Sequence, residues 1–299
     1  MVWCSGWELA SAVSNAGGLG LIGAGSMDAE TLRYHIRKTR ENTKNPFGVN
    51  VPLLYSRVDE LMKVIIEEKV SIVFTSAGNP SSWTSSLKEK GCLVVHVVSN
   101  VKFAKKAQEA GVDALVAEGV EAGGHNGREE TTTMVLVPLI KETVSLPLIA
   151  AGGIASGQAM LAALALGADG VQIGSRFVAS IESSAHLAFK NAVINTTDGS
   201  TKLVLRSLNP VRLIRNNLCH QIEEAENRCV PADDINAILG KGLSKRGMFE
   251  GDIENGEMEI GQVAAGIHKV LPAKEILATI IQELNITMQS LSNTIYEKN

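Results

Sequence analysis

The chain has 299 residues, 45% of them hydrophobic, 20% charged and only 4% aromatic, with a formal net charge of −4. Scattered, outnumbered basic residues exclude a nucleic-acid patch, and no apolar run approaches the roughly 20 residues of a membrane span. Residues 1–30 lack a signal-peptide pattern, and Cys4, Cys92, Cys219 and Cys229 show neither CxxC pairing nor a metal pattern with histidine, so free thiols, a cytoplasmic location and no metal are expected.

Residues 1–175 alternate short helices and strands. Trp7–Asn15 reads as a helix that ends at a Gly-Gly, and Leu19–Gly23 as a strand. Asp28 is placed to cap a helix running to about Thr43. Phe47–Val51 is a strand carrying Asn50 near its end. Val58–Glu68 is amphipathic, with Val58, Leu61, Met62 and Ile65 on one stripe. Ser71–Thr75 (strand), Ser82–Lys90 (helix), Leu93–Val98 (strand) and Val101–Ala110 (helix) follow. Ala114–Ala117 is a strand that leads into Glu118-Gly-Val-Glu-Ala-Gly-Gly-His-Asn-Gly127, a loop with four glycines in ten residues. Thr133–Thr143 (helix), Leu148–Ala150 (strand), Ser156–Leu166 (helix) and Gly170–Ile173 (strand) complete the series.

Strands apolar on both faces, each followed by a helix, belong to a parallel sheet covered by helices. Seven such strands precede residue 175, one short of a (β/α)8 TIM barrel. The rival is an open doubly wound sheet. The barrel is favoured because Gly23, Asn50, Thr75, Ser99, Glu118, Gly152 and Gly174 stand at successive strand ends, where a barrel gathers its active-site loops. Residues 1–178 are therefore read as the barrel and 179–260 as an inserted small helical lid, with Ser183–Asn195 and Val211–Arg228 as its helices. Residues 251–262 read as a charged, glycine-punctuated loop. Within 261–299, Val263–Val270 and Ala273–Met288 read as helices returning to the barrel wall, with Ser290–Asn299 frayed.

Two loops at consecutive strand ends, Ala150-Ala-Gly-Gly-Ile154 and Gln172-Ile-Gly-Ser-Arg176, open backbone N–H groups toward an anion. The last two strands of a barrel are the usual phosphate site, so a phosphate-bearing cofactor across the mouth is expected. Asn50 and the loop holding Ala77 and Gly78 could meet its ring edges, and His125 could move a proton near neutral pH. Plainer readings stand beside these: a tight turn at Gly152–Gly153, a strand-end turn at Asn50, and a glycine-rich loop with an incidental histidine. His96, inside an apolar strand, reads as a core histidine rather than a ligand.

Ala16-Gly-Gly-Leu-Gly20, Pro46-Phe-Gly-Val-Asn50, Glu121-Ala-Gly-Gly-His125, Ala150-Ala-Gly-Gly-Ile154 and Gln172-Ile-Gly-Ser-Arg176 occur in that order. Together they resemble the FMN-dependent nitronate monooxygenases, formerly 2-nitropropane dioxygenases, a family that includes flavin-dependent enoyl-acyl-carrier-protein reductases. The resemblance spans nearly all of residues 1–270. It implies an FMN-binding barrel, His125 as catalytic acid or base, and FMN contacts from Asn50, Gly123, Gly153 and Gln172, Ile173, Gly174 and Ser175. The fuller expected cofactor set adds Ala77, Gly78, Glu118 and Gly152. In two respects this chain departs from the pattern. The family's first strand, with a Gly-Gly-Met turn, is missing from this sequence, Met1 standing where that methionine would be, so a barrel with two open edges is expected. Glu118 replaces the glutamine of nitronate monooxygenases, and Ala117-Glu-Gly119 looks more like the reductase branch. The expected function is thus an NAD(P)H-dependent enoyl reductase acting on an acyl thioester, with acyl carrier protein and a homodimer as candidate associations. The alternatives are a nitronate monooxygenase using O₂, or a non-catalytic barrel that binds a phosphate ligand.

Overall fold

A computed structural model describes residues 1–295. Its first half follows the expected alternation: helix α1 (Trp7–Asn15), strand β1 (Gly20–Gly23), α2 (Ala29–Asn42), β2 (Phe47–Pro52), α3 (Val58–Glu67), β3 (Ile72–Ser76), α4 (Thr84–Glu89), β4 (Leu93–Val98), α5 (Val101–Glu109) and β5 (Ala114–Glu118). A two-residue strand, β6 (Gly124–His125), interrupts it before α6 (Thr133–Lys141), β7 (Leu148–Ala151), α7 (Gly157–Ala165), β8 (Gly170–Gln172) and the short α8 (Ser175–Val178). Local chemistry sets the helix starts. Asp28 accepts from Thr31 N–H at 2.8 Å, Asn100 from Phe103 N–H at 2.8 Å and Ser156 from Ala159 N–H at 3.2 Å.

Seven strands form one parallel sheet in the order β1-β2-β3-β4-β5-β7-β8. It curls as a barrel does, but among the described residues β1 and β8 are its edges and do not pair with each other. Because successive strand residues face opposite sides, the sheet sorts its side chains into two layers. Phe74, Val95, Val116 and Ala151 pack inside the curl with Leu21, Ile72, Val97, Ala114 and Ile149. Ile22, Val49, Val51, Val73, Val94, Val98, Leu115, Leu148 and their neighbours point outward against the helices. Thr75 belongs to the outward layer, and its hydroxyl pairs with His96 Nδ1 at 2.7 Å. Thr75 thus does not face the mouth, and His96 is the buried, partnered histidine the apolar strand implied.

The N-terminal residues lie across the gap at the carboxyl end of the sheet. Gly23 N–H donates to Ser5 O at 3.0 Å, and Ser5 Oγ donates to Leu21 O at 2.6 Å. On the far side, Ser183 Oγ donates to Cys4 O at 3.0 Å and Ser184 Oγ to Trp3 O at 2.9 Å.

After α8 come α9 (Leu187–Ile194), β9 (Thr201–Val204), β10 (Val211–Ile214), α10 (Asn217–Asn227), α11 (Ala232–Leu239) and α12 (Ala273–Ile295). The region 179–260 is not wholly helical. Val211–Ile214, expected as the start of a helix, is the central strand of an antiparallel sheet β6-β10-β9. Pro210 and the alternating Val211 and Leu213 favour a strand, and the helix waits for Asn216, whose side chain caps it at Cys219 N–H, 3.0 Å. Residues 262–266 form a 3-10 turn in place of the expected helix. Helix α12 packs against α7 and α1. Its fit on α7 is close: Gly157 N–H donates to Glu283 Oε2 at 2.8 Å, and a Cβ on Gly157 would lie 2.1 Å from Leu284 N. The expected fraying from Ser290 is not found, since α12 runs to Ile295, and residues 296–299 lie outside the described chain. No helix among the described residues is long and apolar enough to cross a membrane.

Candidate active site

Toward the carboxyl ends of β2, β5 and β8 the inner face carries polar residues beside its apolar ones. Asn50 lies beside Phe74 in register, while Glu118 and Gln172 both flank Ala151. Paired residues of parallel strands share a face, so Asn50, Glu118 and Gln172 top the interior at the carboxyl end. Gln172 Oε1 is buried and, among the described residues, has no hydrogen-bond partner. Burial pushes the Glu118 carboxyl up to about 7, against an opposing pull from the Met1 amino group. Such a carboxyl keeps its proton in the folded state after the unfolded chain has lost it. Stability therefore falls as pH rises from the ordinary value of 4.5 toward about 7. Glu118→Gln is expected to melt higher than the parent at about pH 8, with the difference closing near pH 4.5. An equal difference at both pH values would assign the effect to packing instead.

The loop glycines have distinct reasons. Gly152 and Gly153 sit at φ +95° and +69°, which strongly favours glycine at both positions. Gly152 and Gly123 mark backbone crossings, where added Cβ atoms would lie 2.8 Å from Gly119 O and 2.4 Å from Ile260 C, and a Cβ on Gly78 would meet the Leu53 side chain, 2.6 Å from its Cβ. Gly174 is open, with nothing nearer its Cβ position than Met1 Sδ at 3.6 Å. Ala77, exposed at the rim, is held at φ +48°. The Ile173 side chain packs outward in the core rather than at the mouth, which leaves its backbone as the part facing the site. Ser175 Oγ accepts from Gly261 N–H at 2.9 Å and so ties the end of β8 to the segment around Gly261.

His125 stands on β6 at the edge of the second sheet, paired with Val211 and exposed. Its loop is fastened from both sides. The Glu121 carboxylate accepts from Thr133 N–H at 3.0 Å, where the N-terminus of α6 favours negative charge. The buried Arg212 guanidinium donates twice to Val120 O, at 3.0 and 2.9 Å.

Facing this loop is an extended segment, residues 257–261. Met258 and Ile260 are buried in an apolar cluster with Cys4, Phe189 and Ile267, so Glu257 and Glu259 share the opposite face. Glu259 Oε2 lies 2.6 Å from where a Cβ on Gly124 would stand. Burial pushes both carboxyls up, Glu257 to about 7 with a further push from the Glu259 charge, and Glu259 to about 6 against the pull of the Met1 amino group. These two carboxylates and Arg212 went unrecognised in the sequence. The period-2 run Glu-Met-Glu-Ile was the available signal, hidden within a stretch that reads as a charged loop.

Polar groups gathered at the carboxyl ends of parallel β/α strands define an enzyme of the barrel class. Comparison with known proteins narrows the class. A sequence profile of the nitronate monooxygenase family matches residues 1–63 and 54–283, and the chain belongs to that family. A probable nitronate monooxygenase of Staphylococcus aureus is 32% identical over 94% of this chain and 92% of its own length. The structure of FabK from Thermotoga maritima superposes with a TM-score of 0.93 at 42% identity, covering 98% of this chain and 93% of its own. A nitroalkane oxidase from Streptomyces ansochromogenes gives 0.85 at 27% identity, covering 97% and 95%. The chain is an oxidoreductase of this family.

Proposed function

We propose that this oxidoreductase is an FMN-dependent enoyl-thioester reductase drawing on NADH or NADPH. The observation that carries the reading is the likeness to FabK, 42% identical against 27% for the nitroalkane oxidase; we read FabK as representing the reductase branch that Ala117-Glu118-Gly119 resembles. Acyl carrier protein is the proposed carrier of the thioester.

The residues present suit FMN. Among the described residues no carbonyl accepts from the N–H groups of Gly153, Gly174 or Ser175, leaving donors for a phosphate. The orphan Oε1 of Gln172 suits a ring N–H, and Asn50 and Glu118 share its inner face. When bound, FMN would supply the redox chemistry, passing reducing equivalents from a nicotinamide to the enoyl group. His125, exposed at the mouth, gives the proton to the α-carbon, so that hydride and proton together saturate the double bond. Glu121 and Arg212 hold the His125 loop in place for that transfer.

Nitronate oxidation is the second reading, supported by the Staphylococcus aureus relative. One anaerobic assay separates them: mix the protein and FMN with NADH or NADPH, follow flavin bleaching, then add crotonyl thioester. Bleaching, then reoxidation by the thioester without O₂, is expected. Nitrite release from propyl nitronate in air, with no bleaching by either nicotinamide, would replace the reductase with the monooxygenase.

A further inference from the structure

We infer that Glu257 and Glu259 set the charge selectivity of the mouth over His125, admitting neutral thioester-type substrates and turning away small anions such as nitronates. This deepens the proposed function and rests on its reading of that mouth as the substrate entrance.

The two side chains are placed by backbone bonds. Glu257 N–H donates to Leu243 O at 3.0 Å, Ile214 N–H to Met258 O at 2.9 Å, and Gln262 N–H to Glu121 O at 2.9 Å. Leu213 bridges to Glu259 as an antiparallel neighbour. The segment is thus an added strand beside β10, its apolar face in the core and its acidic face over β6. Rotation away from the mouth is blocked, because Met258 is 3% and Ile260 1% exposed.

The charges facing this pair from each packed element do not neutralise it. Glu118 lies below on β5 and is itself acidic. His125 faces Glu257, and the Met1 amino group faces Glu259. Cys4 also faces Glu259, and Lys190, next to Cys4, spends its ammonium on Ile181 O at 3.2 Å. Arg212 is directed at Val120 O. Among the described residues, no lysine or arginine forms an ion pair with Glu118, Glu257 or Glu259. Near pH 8 the two carboxyls are largely ionised, so a small anion approaching His125 meets negative charge at short range. A thioester carries no charge at its reacting carbons and meets no such opposition.

The test uses butyrate and butyramide, an anion and its neutral near-isostere, with dissociation constants read from ligand NMR relaxation on the protein with and without added FMN. At about pH 8 the parent is expected to bind butyramide roughly tenfold more tightly than butyrate, the scale of a screened charge a few ångströms away. Glu257→Gln/Glu259→Gln should bring the two within about twofold. If the double variant does not fold, Glu257→Gln and Glu259→Gln separately should each remove part of the preference. Equal binding of the two ligands by the parent, or a preference unchanged in the glutamine variants, would overturn the inference. Neither ligand needs an electron donor. A flavin that no nicotinamide bleaches would therefore defeat the reductase reading while leaving this charge test standing.

Discussion

Replacing His125 with alanine is expected to lower turnover by roughly 10² to 10⁴ while leaving flavin binding intact, the range for one general acid or base. The expectation rests on where the residue stands. His125 is exposed on an edge strand, not packed in a core. Its backbone is held by pairing with Val211, which the substitution keeps. The loops proposed to hold the phosphate follow other strands, β7 and β8, so FMN should stay in place. Single-turnover reoxidation of reduced enzyme by crotonyl thioester, with flavin content from the absorption spectrum, measures both quantities. A variant that keeps its flavin and reoxidises within about threefold of the parent rate would remove His125 from the chemistry, since such help is worth far more.

Gly123→Ala is expected to be nearly as damaging, for a steric reason. The added methyl would stand 2.4 Å from Ile260 C and 2.6 Å from Gly261 N, both backbone atoms. Neither side yields easily. Gln262 N–H is bonded to Glu121 O at 2.9 Å and Gly261 N–H to Ser175 Oγ at 2.9 Å, while Ile260 is anchored in its apolar cluster. Overpacking of this kind typically costs about 1–3 kcal/mol. A displacement of about 1 Å at a reacting group can cost about 10²-fold in rate. Both should be visible, as a lower thermal midpoint and a lower kcat/KM. Parent-like values for both would mean that the loop and the segment facing it have slack.

Most of the sheet could be read from the sequence because each βα unit carries its own local signals. Trp7–Asn15 and Leu93–Val98 fall where the apolar pattern put them, and Asp28 caps as its residue type implies. The second sheet was harder to read for a physical reason. β6 is two residues long, too short for any periodicity, and becomes a strand only because β10 lies beside it. Val211–Ile214 borders a genuine helix, so the alternation of Val211 and Leu213 merged with the following pattern. At the site, Asn50, Glu118, Gln172 and His125 stood out by residue type at strand ends. A contiguous motif does not say which of its side chains faces inward; period-2 alternation from Gln172 turns the Ile173 side chain outward. Glu257 and Glu259 were missed because their meaning depends on contact with a loop more than 100 residues away.

That separation has a kinetic consequence. The parallel sheet grows by joining neighbours one βα unit apart, each a modest loop to close. The bonds from Gln262 to Glu121 and from Gly261 to Ser175 join segments far apart in the chain, and such contacts form slowly because the intervening chain must first be ordered. During synthesis from the N-terminus, the glycine loops and His125 emerge well before the strand that roofs them. Ligand-competent protein should therefore accumulate with a lag behind parallel-sheet formation, and in the interval Met258 and Ile260 remain available to non-native partners.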